Sequence, residues 1–244
     1  MGSDWLDRPE YKGKQMLKVY EELEQGTDEW LAARCGLLTA SEMKLIITPT
    51  LKAASNDKER AHLFELLAQR ITGYVEPMYV SDDMLRGRED EIEARLVYDK
   101  NVAPVREVGF MTNDKWGFTI GYSPDGLVGD DGLIECKSRR QKYQVQTIID
   151  GNMPDDYVMQ VQTGLLVSGR KWCDFISYCG GLPMAVIRVE PDERIQAAII
   201  AAASAFEGRL QDHHQRYAAM IESGEMRTFP TQRRMSQDEM EIIV

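Results

Sequence analysis

The segment 121-GYSPDGLVGDDGLIECKSRR-140 sets an aspartate in a Ser-Pro-Asp-Gly turn and, ten residues later, a Glu-x-Lys triplet. Glu135 and Lys137 alternate with Ile134 and Cys136. On a strand the side chains repeat every two residues, so Glu135 and Lys137 share one face and Ile134 and Cys136 the other. One face can pack while the other serves a polar site. Upstream, 86-RGREDEIEAR-95 places Glu91 on a helical pattern. Glu91, Asp125 and Glu135 can converge where a helix crosses strand ends. Hard divalent ions such as Mg2+, with Mn2+ as a substitute, take such oxygen ligands. The backbone carbonyl of Cys136 is a further ligand, since its side chain points away. One or two ions held there would polarise a phosphodiester and activate water. Lys137 can orient or deprotonate that water and offset charge in the transition state.

The pattern Asp125…Glu135-Cys136-Lys137 is the D–(x)n–E–x–K arrangement of metal-dependent nucleases. Glu-x-Lys alone also describes a solvated strand face bearing an ion pair. The preceding turn, the strand context and the helical glutamate together raise the metal reading to equal standing with it, and the residues alone leave both open.

The elements that must position these residues follow from periodicity. Thr27 caps a short helix over 27–36, with Asp28 and Glu29 in its first turn and Gly36 at its end. Thr39 and Glu42 have capping-box spacing at the start of 39–47. A helix over 58–72 carries Leu63, Leu66, Leu67 and Ile71. Another over 84–99 carries Leu85, Ile92 and Leu96 toward the core. The period then shortens to strands at 105–110, 115–123 and 132–137, with turn signals at Asn113-Asp114 and Pro124-Asp125-Gly126. Helical spacing returns over 141–150 and 155–168. Strands follow at 172–179 and 183–190. A closing helix over 192–222 is anchored by Ile195, Ile199, Phe206, Leu210 and Tyr217. The order predicts one α/β domain over 1–222, with a central mixed β-sheet flanked by helices. Residues 223–244 form a weakly periodic tail, loose or packed on a partner subunit.

The 244 residues suffice for one substantial core. No window is apolar enough to span a bilayer and no secretory apolar run opens the chain, so the expectation is a cytoplasmic protein with no membrane association. None of the four cysteines forms a CxxC pair, which argues against zinc or iron–sulfur and for reduced thiols. A net charge of −11 argues against a broad basic coat for nucleic acid. It leaves room for a focused site, because carboxylates loaded with cations attract phosphate. The run 136-CKSRRQK-142 supplies local positive charge.

Five stretches in order, 25-QGTDEWLAARCGLLTASE-42, 63-LFELLAQRITG-73, 87-GREDEIEAR-95, 122-YSPDGL-127 with 133-LIECK-137, and 157-YVMQVQTGLLVSG-169, resemble the lambda-type phage exonuclease family. This is the YqaJ-like viral recombinase domain, within the PD-(D/E)xK nucleases. The resemblance spans about residues 20–210. It implies a restriction-endonuclease-like core and a Mg2+-dependent 5′-to-3′ exonuclease on linear double-stranded DNA, preferably 5′-phosphorylated. The product would carry 3′ overhangs for recombination with a single-strand annealing protein. A homotrimeric ring is implied too. Carried over by motif, Glu91, Asp125, Glu135 and the Cys136 carbonyl would hold metal, and Lys137 would be the catalytic lysine. Arg34, Ser41, Ser123 and Gln160 would bind the terminal 5′-phosphate. Gln162 should face elsewhere, and Trp30 reads as a core anchor rather than a stacking platform. Tyr122, Arg88, Arg139, Arg140 and Lys142 are wall candidates without assigned roles. Some relatives place an arginine in the loop after the TAS helix, but here 48-TPTLKAASNDKE-59 offers only Lys52 before Lys58. The other readings are a related endonuclease or repair nuclease, or a non-catalytic DNA-end-binding protein. The cysteine spacing opposes a cluster cofactor, and the intact Glu91, Asp125, Glu135 and Lys137 oppose a dead domain.

Overall fold

The computed structural model describes residues 17–77 and 81–233. The predicted tail lies outside them from residue 234 onward. In chain order the elements are β1 (Lys18–Tyr20), α1 (Asp28–Arg34), β2 (Leu38–Thr39), α2 (Met43–Ile46), α3 (Asp57–Thr72) and α4 (Asp82–Asn101). Then come β3 (Phe110–Asn113), β4 (Ile120–Tyr122), β5 (Gly126–Val128), β6 (Gly132–Ser138), α5 (Gln141–Asp150) and α6 (Val158–Ser168). β7 (Trp172–Tyr178), β8 (Ala185–Val189) and α7 (Glu193–Ser223) complete them.

The strands form two mixed four-stranded sheets, ordered β1-β3-β4-β2 and β5-β6-β7-β8. β6 and β7 run parallel. A parallel pair needs a long crossover, and α5 and α6 supply it. In β6, Ile134 and Cys136 are buried and pack with Ala94, Tyr98, Val128 and Ile176. That face therefore belongs to α4. The opposite face carries Glu135 and Lys137, in contact with each other at 2.6 Å. The two-residue period thus separates packing from charge along one strand.

The inward face of α4 is Ala94 and Tyr98, both fully buried. Leu85, Ile92 and Leu96 instead face outward, 48–59% exposed. The apolar stripe read from the sequence is thus the solvent face. Residues 91, 94, 95 and 98 share one side by helical spacing, and their mixture of charge and apolar bulk hides that side from a hydrophobicity pattern. Tyr98 is fixed by donating to Asp174 at 2.6 Å, and Arg188 grips the same carboxylate at 2.8 and 2.9 Å.

The larger core lies on the other side, around α2, α3, α6 and α7, with Leu63, Leu66, Ile199, Phe206 and Leu210 at its centre. Arg70 forks onto Glu207 at 2.8 and 2.7 Å and donates to the Gly36 carbonyl at 2.7 Å, joining α3, α7 and the end of α1. Tyr217, expected as an anchor, is 47% exposed because the end of α7 runs past this core. The strand expected at 105–110 begins only at Phe110. Arg106 makes an isolated bridge to Leu127, and Arg106 and Glu107 are exposed. Glycine at 164 lets α6 lie against β4: a Cβ there would stand 2.6 Å from the Tyr122 ring.

Candidate active site

Glu135 is 1% exposed, yet all its polar neighbours are internal. Lys137 Nζ pairs with Oε1 at 2.6 Å, and Gln160 donates to the same oxygen. Tyr122, buried in β4, donates its hydroxyl to Oε2 at 2.9 Å. Asp125 approaches from the turn between β4 and β5 and accepts the Cys136 N–H on Oδ2 at 2.6 Å. Arg95 Nη1 donates to the Asp125 carbonyl at 3.3 Å, linking this turn to α4. Glu91 stands one turn earlier on that helix.

Electrostatics ties these groups into one unit. Burial, then Glu135, pushes the Asp125 carboxyl well above its usual range against the pull of Lys137. Glu91 is pushed up by burial and by Glu135, with Lys137, Arg95 and Arg88 opposing. Burial disfavours the Lys137 ammonium, but Glu135, Asp125 and Glu91 outweigh it and hold the lysine above its ordinary value. Three carboxylates around one lysine leave an excess of negative charge in a poorly solvated place. Among the described residues, no three Asp, Glu, His or Cys side chains are gathered closely enough to hold a metal ion as they stand. Both oxygens of Glu135 and one of Asp125 are taken by internal donors. The donor set itself, hard carboxylate oxygens with uncompensated charge, fits a divalent cation. Holding one would require Glu135 to exchange an internal donor for it.

A second cluster lies around Arg34 at the end of α1. Thr27 caps this helix by accepting the Trp30 N–H at 3.3 Å. Trp30 and Arg34, at i and i+4, then share a face. The guanidinium carbon lies 4.2 Å from the centre of the Trp30 ring. Nη1 donates to Ser123 Oγ at 3.3 Å and Nη2 to Thr39 Oγ1 at 3.3 Å. Trp30 Nε1 donates to Ser123 Oγ at 3.0 Å and to the Gly109 carbonyl at 3.2 Å. The half-buried tryptophan therefore orients the arginine as well as packing. Thr39 shares a hydrogen bond with Ser41 at 3.2 Å and donates to Glu42 Oε2 at 2.7 Å. Its side chain caps no backbone N–H, so the spacing read as a capping box is a side-chain pair. Burial lowers the pKa of Arg34, and Glu42 opposes the shift.

Of the four residues expected at a terminal phosphate, Arg34, Ser41 and Ser123 fall in one cluster, with Thr39 joining Ser41 to the arginine. Gln160 stands with Glu135 instead. Gln162 faces elsewhere, donating to the Glu190 carbonyl at 2.8 Å and accepting from the Asp192 N–H at 2.9 Å. The two clusters are joined covalently by Ser123-Pro124-Asp125. They also share a cleft of about 550 Å3 whose lining includes Trp30, Glu91 and Asp125. Thr39 and Glu42 had only their mutual spacing as a signal. The role of Tyr122 as donor to Glu135 had none, because it depends on β4 bringing that ring against Glu135 on β6.

Residues 29–171 match the YqaJ-like viral recombinase domain. Among solved structures, an alkaline exonuclease from Laribacter hongkongensis is similar at 35% identity, over 80% of this chain and 100% of that one, with a TM-score of 0.70. The same exonuclease in complex with dAMP gives 37% identity, the same coverage and a TM-score of 0.71. A phage-related exonuclease from Haemophilus somnus 129PT shares the fold at 14% identity, over 72% and 96% of the two chains, with a TM-score of 0.50. No curated protein gives a significant sequence match. Among the described residues no helix is long and apolar enough to cross a membrane.

Proposed function

The chain belongs to the YqaJ-like viral recombinase domain family, and from that premise we propose that it is a divalent-metal-dependent exonuclease that degrades one strand of linear duplex DNA from a 5′ end. The observation that carries this is the electrostatic unit of Glu91, Asp125, Glu135 and Lys137 beside the Arg34–Ser123 cluster. Similarity to an alkaline exonuclease over most of the chain supports nuclease chemistry.

Glu91, Asp125 and Glu135, with the Cys136 carbonyl, would hold Mg2+ or Mn2+. A divalent ion there supplies Lewis-acid polarisation of the phosphate and a lowered pKa for water. Water adds to phosphorus, the P–O3′ bond breaks, and the 3′ oxygen takes up a proton. Lys137, held as an ammonium by the carboxylates, offsets charge gathering on the phosphoryl oxygens. Gln160 and Tyr122 fix the Glu135 carboxylate. Arg34, laid against Trp30, presents its fork to the terminal phosphate with Ser123 and Ser41 as companions. Fixing that end presents the next phosphodiester to the carboxylates, a positioning effect.

Arg34→Ala tests the reading at its sharpest point. A charged hydrogen bond of about 1.5–3 kcal/mol corresponds to roughly ten- to over a hundred-fold in rate. The initial rate on 5′-phosphorylated duplex should fall by that factor, and the rate on 5′-hydroxyl duplex much less. A ratio of the two rates unchanged by Arg34→Ala would remove the arginine from phosphate recognition.

A further inference from the structure

Two arginines of α4 line the 550 Å3 cleft, one turn on either side of Glu91. They are not equivalent. Arg95 is committed, donating to the Asp125 carbonyl at 3.3 Å and pairing with Glu107 at 3.0 Å. Arg88 has no hydrogen-bond or ion-pair partner among the described residues, and its charge acts only at longer range on Glu91. Its guanidinium lies over the backbone of Gly26, where a Cβ would stand 3.6 Å from Nη2. Other arginines nearby are engaged. Arg86 and Arg140 both hold Asp83 at 2.8 Å, Arg139 donates to the Tyr157 hydroxyl at 2.8 Å, and Arg106 holds Glu21 at 2.8 Å. Glu21, Glu22 and Glu24 also line the cleft and oppose an anion, but Arg106 already offsets Glu21. An unpaired guanidinium is weakly hydrated and suited to phosphate.

We infer that Arg88 is a substrate-binding residue that grips a backbone phosphate of the strand lying in this cleft, beside the phosphate presented to Glu91 and Asp125. The inference rests on the nuclease reading above. Residues 88 and 91 are one turn apart on a single helix face, so the two phosphates would be near neighbours along the strand. The contact reads no base. It adds one phosphate contact to binding and increases its salt dependence.

The test is binding of a short 5′-phosphorylated duplex with Ca2+ in place of Mg2+, over a salt series. Arg88→Ala should weaken binding about ten-fold at low salt. It should also reduce the slope of log K against log salt by about one. Arg88→Lys should restore the slope while recovering only part of the affinity. Arg88→Ala with an unchanged slope, circular dichroism confirming its fold, would overturn the assignment. If the wild-type protein binds no duplex at any salt, the nuclease reading itself fails and Arg88 with it.

Discussion

Asp125→Asn should abolish DNA hydrolysis across a full Mg2+ titration while the protein stays folded. The amide oxygen can still accept the Cys136 N–H that Oδ2 accepts at 2.6 Å, so the turn keeps its anchor. What is lost is a negative charge needed by a cation, and the Lewis-acid contribution it supports is worth several kcal/mol. A rate loss of at least about a thousand-fold is expected. The same change should stabilise the metal-free protein. Because the folded-state pKa of Asp125 is raised, the native state binds more protons than the unfolded one as pH rises above the ordinary carboxylate range. Stability is lost across that window, so by neutral pH Asp125 opposes folding. Asparagine removes that cost, so in chelator at pH 7 the variant should melt above wild type. Glu135→Ala should behave oppositely, because it strips partners from Lys137 and Tyr122. A rate loss of less than about a thousand-fold for Asp125→Asn, or a lower melting temperature in chelator, would contradict this account.

Lys137→Ala should lose about 10²- to 10⁴-fold in single-turnover rate and keep its affinity for duplex in Ca2+ within a few-fold. The lysine has Glu135 at 2.6 Å and lies 6.0 Å from the Tyr157 ring, inside the carboxylate unit rather than on an outer wall. An ammonium in that place acts on transition-state charge, and Arg34 and other donors bind the strand. Separate measurement of single-turnover rate and equilibrium binding decides the matter. Loss of affinity with little loss of rate would make Lys137 an anchor.

The two-residue period of Ile134-Glu135-Cys136-Lys137 was enough to place charge on one face of β6 and packing on the other, because that rule is local geometry. The ends of α3 and α5 were likewise legible, since helical spacing runs up to the glycines at 73 and 151. The orientation of α4 was not. Its buried face mixes Tyr98 with Glu91 and Arg95, and a hydrophobic stripe cannot reveal a face chosen for a site. β1 and β2 were missed because two- and three-residue strands exist only through pairing with β3 and β4. Within the site, residue types at motif positions were readable, but partnership was not. Gln160 sits with Glu135 rather than with Arg34, and Thr39 joins Ser41 to Arg34. The first follows from how α6 meets β6 and the second from how β2 returns to the end of α1, which no local pattern encodes.

The central claim is that this chain is a metal-dependent nuclease working from a 5′ end. It is tested most directly by digesting, in Mg2+, linear duplexes labelled at either the 5′ or the 3′ end, alongside a covalently closed circle. The expected result is immediate release of the 5′ label as a mononucleotide, late release of the 3′ label, an intact circle, and no reaction in chelator. Nicking of the circle, or release of the 3′ label first, would contradict it.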